Sequence, residues 1–115
     1  MQRNLTKGEK AFIMEMLKYT DETHIFSHLL DQAIVEEMDD GGMGSLKFIY
    51  ENVEQALFGR DLIAVQFKDV DYTLVIASIY LDRQDKLFEI DVWKVDFSPL
   101  CHELNLEYKI SKFMD

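Results

Sequence analysis

The sequence predicts an α+β domain in which two N-terminal helices pack on an antiparallel β-meander of about five strands. Three observations lead there. Apolar side chains recur at helical spacing only before Ile34, and beyond that point they alternate with period two. The strand-helix-strand alternation that a parallel sheet needs is absent. The chain has 115 residues, of which 48% are apolar, enough for one core, so a single domain over residues 1–115 is expected.

Thr6-Lys7-Gly8-Glu9 reads as a capping box, the Thr6 hydroxyl accepting from the Glu9 amide and the Glu9 carboxylate returning to Thr6. No hydrophobic staple accompanies it, because Leu5 faces Lys10. Behind the cap Phe12, Ile13, Met16 and Leu17 form one stripe, which predicts a helix to about residue 19. After a break at 20–23, the stripe Ile25, Phe26, Leu29, Leu30 and Ala33 predicts a second helix with one buried face. Strands are then expected at 34–38 and 45–50, joined through the turn-rich Asp39-Asp40-Gly41-Gly42-Met43-Gly44. Residues 51–59 fit a helical turn ended by Gly59. From 61 to 68, Ile63, Val65 and Phe67 alternate with Ala64, Gln66 and Lys68, a half-buried strand. The stretch 73–81 is apolar on both faces and belongs in the middle of the sheet. In 87–96, Phe88, Ile90 and Val92 share one face, and Glu89, Asp91, Trp93 and Val95 the other. A final strand is expected over 104–110.

Twelve Lys and Arg against 22 Asp and Glu leave a net charge of −10, with a pI near 4.6. Such a field repels phosphate backbones and anionic lipid, so neither nucleic acid nor a membrane is an expected partner. One cysteine, Cys101, makes no intrachain disulfide, and no apolar run has the length of a signal peptide or a membrane span. The expected location is the cytoplasm.

Four patterns invite chemistry. Gly41-Gly42-Met43-Gly44 supplies amides that can converge on an anion, but it lacks Rossmann spacing and the Walker lysine and reads as a turn. Asp69-Val70-Asp71 and Asp39-Asp40 pair carboxylates as hard cations require, yet neither completes an EF-hand. Cys101 and His102 are adjacent, which on a strand sends them to opposite faces and prevents a dyad. If the second helix runs from about residue 21 to 31, His24 and His28 lie at i, i+4 on its polar flank with Asp21 and Asp31 beside them. That arrangement suits zinc or another transition metal, and no third His or Cys is placed. No cofactor is indicated.

Three stretches resemble a family of small uncharacterised bacterial proteins: Asp40-Gly41-Gly42-Met43-Gly44-Ser45-Leu46, Phe67-Lys68-Asp69, and the run from Glu89-Ile90-Asp91-Val92-Trp93-Lys94 to Leu100. The resemblance reaches through Leu100 and departs at Asp71-Tyr72, where a glycine is expected in the turn. It implies no activity. In size, acidity and layout the chain is also broadly similar to immunity proteins that neutralise bacterial toxins, a likeness of type without shared motifs.

Charge is the most informative feature. Between Lys18 and Lys47 there is no Lys or Arg, while Asp21, Glu22, Asp31, Glu36, Glu37, Asp39 and Asp40 all fall there. Glu89 and Asp91 add acid beside Trp93, the residue type that interface centres favour. The functional expectation is a non-enzymatic protein-binding domain. Its docking surface, made of Glu36, Glu37, Asp39, Asp40, Glu89, Asp91 and Trp93, would receive a basic protein partner, as an immunity protein receives a toxin. The alternative is a small metal-binding protein or metal-dependent hydrolase using His24 and His28.

Overall fold

A computed structural model describes residues 1–51 and 57–113. The order of elements is β1 (Gln2–Asn4), α1 (Lys7–Leu17), α2 (Thr23–Phe26) running into a 3-10 turn (Ser27–Leu29), β2 (Ile34–Glu37), β3 (Leu46–Ile49), β4 (Phe58–Lys68), β5 (Leu74–Asp82), β6 (Leu87–Lys94) and β7 (Ser111–Lys112). The seven strands form one antiparallel sheet in the order β1-β2-β3-β6-β5-β4-β7. The α+β class and the β4-β5-β6 meander are therefore as expected, with short edge strands added at either side. β5 is interior, although β6 is the fourth of the seven.

The capping box forms: the Glu9 amide donates to Thr6 Oγ1 at 3.1 Å and the Thr6 amide to Glu9 Oε1 at 2.9 Å. The α1 stripe of Phe12, Ile13, Met16 and Leu17 is fully buried against Val35, Val65, Phe67, Ala77, Ile79, Ile90 and Val92 on one face of the sheet. Phe12 meets Phe67 edge-on, with ring centroids 5.4 Å apart. Gly8 is required by a close approach, since a β-carbon there would lie 2.5 Å from the carbonyl oxygen of Leu104.

Three expectations are corrected. The second helix is a single turn followed by 3-10 geometry, because Thr20 and Thr23 both donate their hydroxyls to the Leu17 carbonyl (2.8 and 2.6 Å) and no side chain caps α2. Only Phe26 and Leu30 of its stripe are buried, and Ile25 and Leu29 face solvent. Residues 104–110 form no strand: Asn105 Oδ1 accepts from the Glu107 amide at 2.8 Å and turns the chain, so that Leu104 and Tyr108 both reach the core. Where β6 meets β5 the register slips opposite Tyr80 and Leu81, which leaves Phe88 without a partner on β5 and turns Leu87 to the core in its place. The helical turn expected at 51–59 lies largely on 52–56, outside the described residues; Gly59 sits within β4.

Candidate functional site

Antiparallel pairing fixes which side chains share a face. On the helix-covered face one row runs Leu46, Ile90, Ile79, Ile63, and the next pairs Val92, Ala77 and Val65, all buried. On the opposite face the rows run Glu36, Lys47, Glu89, Tyr80, Asp61; then Asp91, Ser78, Ala64; then Trp93, Ile76, Gln66. None of these residues is buried, and no described helix covers them. This open face is the candidate site.

Its electrostatics are unbalanced. Glu89 has Lys47 opposite it, whereas the charge that shifts Asp91 is another carboxylate, Asp40. Neither the Asp91 nor the Glu89 carboxylate makes a hydrogen bond or close ion pair among the described residues. Desolvation, joined by Asp40 at Asp91 and by Asp91 at Glu89, raises both carboxyls above their ordinary values. Burial and the same acids raise Tyr80. Beside them Trp93 is 40% and Phe97 69% exposed, their ring centroids 6.3 Å apart. Phe97 is held at φ 64°, a left-handed conformation that a bulky residue rarely adopts.

The residues predicted as one acidic surface are divided by the sheet. Glu36, Glu89, Asp91 and Trp93 share the open face. Glu37 pairs with Leu46 on the other face and meets Arg3 at 3.4 Å, while Arg3 forms a bidentate pair with buried Glu9 (2.8 and 2.9 Å). Asp39 is exposed. Asp40 acts in the turn, its carboxylate accepting from the Met43 and Ser45 amides at 3.1 and 3.0 Å. The chain's own carboxylate thereby occupies the Met43 amide of the glycine loop and the Ser45 amide that follows it, and Gly41, Gly42 and Gly44 supply the positive φ values of a turn.

A second cluster lies at the core-facing end of β6. Lys94 continues the buried parity of Ile90 and Val92, and its side chain is 1% exposed. Its three ammonium protons find three oxygens: Asp69 Oδ2 at 2.8 Å, Asp71 Oδ2 at 2.7 Å and the Pro99 carbonyl at 3.1 Å. Buried Asp69 also accepts from the Val70 amide (2.7 Å), the Cys101 amide (2.9 Å) and the Tyr108 hydroxyl (2.8 Å). Burial alone would push the Asp69 carboxyl up, but these donors hold it well below the carboxylate range. Asp69, Asp71 and Cys101 present ligand atoms within 4.8 Å of one another, the only such group of three among the described residues. The Lys94 ammonium stands where a cation would. The expectation of an incomplete EF-hand pair at Asp69-Val70-Asp71 leaves Lys94 out of account. The signal was available in the parity of β6, which puts Lys94 in line with Val92.

The other predicted chemistry does not assemble. The His28 ring meets the His24 carbonyl at 3.2 Å, Asp31 pairs with Lys10, and no third metal ligand joins the two histidines among the described residues. Cys101 and His102 lie on a bend at a cleft of about 310 Å³ shared with Arg3 and Glu9. Desolvation and the Asp69 carboxylate raise the thiol above its ordinary value, so it is protonated at neutral pH and a poor nucleophile.

Among the described residues no helix is long and apolar enough to cross a membrane. No curated protein and no solved structure matches the chain. One family profile matches residues 2–104, a span that takes in both helices and every strand but β7, and the chain accordingly belongs to the family described as a domain of unknown function (DUF6984).

Proposed function

We propose that this protein is a non-enzymatic docking domain whose open sheet face receives a basic protein partner. The observation that carries the reading is the pair Glu89 and Asp91, half-buried carboxylates with raised proton affinity and no hydrogen-bonded partner, set beside exposed Trp93 and Phe97. Such carboxylates are destabilising in the free protein and gain when a cation arrives, while the aromatic pair offers apolar area for slow dissociation. A net charge of −10 steers a basic partner toward the face and speeds encounter. A toxin domain that works on nucleic acid must itself carry a Lys/Arg surface, which makes an immunity role the concrete form of the proposal.

The test is retention of partners at low and high salt by the wild-type chain and by Asp91→Lys and Trp93→Ala variants of verified fold. The reading expects a basic protein that is released by salt, weakened at least tenfold by Asp91→Lys, and lost faster from Trp93→Ala. A partner indifferent to both substitutions, or one of acidic character, overturns it.

A further inference from the structure

The open face distinguishes between kinds of cation. Lys47 already places an ammonium opposite Glu89, so that carboxylate has a point charge near it. Asp91, two residues along the same face, has Asp40 near it and no cation. Two residues further the Trp93 ring is exposed, with Phe97 leaning toward it at 51°. Asp91 and Trp93 are thus about 7 Å apart along the strand, the rise of two residues. A planar, weakly hydrated group that forms paired hydrogen bonds to a carboxylate and stacks on an indole can span that distance. A compact, strongly hydrated ammonium satisfies only one of the two demands.

Backbone conformation supplies an independent observation. Phe97 sits at φ 64° with its amide donating to the Lys94 carbonyl at 2.8 Å, so the exit from β6 holds a large aromatic in a region where glycine would be relaxed. The ring displayed at that conformational cost is 69% exposed and faces only Trp93 among the aromatic contacts of the described residues. Strain of this kind collects where a side chain is displayed for use.

We propose that Asp91, Trp93 and Phe97 form the seat for an arginine side chain of the partner, the guanidinium pairing with Asp91 and stacking on Trp93 with Phe97 as a side wall. This rests on the docking reading above and names its anchor. Charge complementarity selects a cation, and the paired hydrogen bonds to Asp91, which hold the group against the aromatic wall, select guanidinium over ammonium.

Trp93 is the only tryptophan in the chain, so its fluorescence reports on the seat directly. The experiment titrates the full chain at low salt with two short glycine-rich peptides of equal charge, one carrying two arginines and the other two lysines. The expected result is a saturable Trp93 response to the arginine peptide at about fivefold lower concentration than to the lysine peptide. Asp91→Asn should abolish that preference, whereas Glu103→Gln, which removes the same charge from an exposed site elsewhere, should leave it intact. Phe97→Gly should raise the melting temperature by relaxing the turn and still weaken arginine binding several-fold, a combination that a merely structural phenylalanine would not give. Equal responses to the two peptides overturn the arginine seat while leaving charge-driven docking in place. No response to either, with the chain folded, overturns both.

Discussion

Lys94 shows how far one residue can commit a fold. Its ammonium and the Asp69 carboxylate are both out of water, so removing one partner leaves the other as an uncompensated buried charge. Lys94→Met is expected to cost about 3–5 kcal/mol in urea unfolding, and Asp69→Asn on that background to recover part of the loss. The pH dependence carries a definite sign. Asp69 has a depressed folded value, so its contribution is fully present above the unfolded value near 4 and is lost as pH falls below it. Asp91 and Glu89 have raised folded values, so the native state binds more protons than the unfolded one just above their ordinary range. Their effect is to increase stability as pH falls through that window. Melting temperature should therefore rise slightly from pH 7 toward mild acid and then drop steeply below about pH 4. Asp91→Asn should flatten the rise and, by removing repulsion from Asp40, stabilise the neutral-pH protein by roughly 0.2–1 kcal/mol.

At the scale of elements, α1 and the C-terminal segment are fitted to each other. Replacing a helical glycine by alanine usually stabilises by up to about 1 kcal/mol, but Gly8→Ala drives a β-carbon against the Leu104 carbonyl and should lower the melting temperature. Thr6→Ala, which removes the hydroxyl that accepts from the Glu9 amide, should cost about 1 kcal/mol. These elements differ in how legible they were. The capping box, the α1 stripe and the alternation of 61–68 are local patterns that directly encode what they form. The second helix misled because its stripe was apolar enough for burial, while the competing bonds from Thr20 and Thr23 to Leu17 are invisible to periodicity. The strand expected at 104–110 failed for a related reason, since alternation there coincided with an Asn105 turn. β1 and β7 have three and two residues, too few to show any period. The faces of the proposed docking residues were half legible: strand parity put Glu89, Asp91 and Trp93 on one face, as the sheet has them, but nothing local tells Glu36, on that face, from Glu37, which is tied to Arg3 on the other. The glycine expected at Asp71-Tyr72 marks a real constraint, for Tyr72 adopts φ 67°. Tyr72→Gly should stabilise by about 1 kcal/mol in thermal unfolding.

For the molecule as a whole, the surplus of acid acts against the fold and in favour of encounter, and salt separates the two. Raising ionic strength shortens the Debye length to well below the molecular dimensions, so added salt should raise the melting temperature while slowing association with a basic partner. A rise in both would mean that docking is not steered by charge. The buried network of Lys94 also sets a timetable for the newborn chain. Lys94 and Tyr108 follow Asp69 by 25 and 39 positions, so a ribosome delivers the carboxylate first, its counter-charge later and the hydroxyl last. Until Tyr108 has emerged, the ion pair at the end of β6 lacks its last hydrogen-bond donor and the Phe67 ring on β4 lacks its cover. Interrupted translation or trimming by a carboxypeptidase would thus yield chains in which the β4-β5-β6 meander is complete but its buried ion pair lacks the Tyr108 hydroxyl, and such chains are expected to unfold and be degraded more readily.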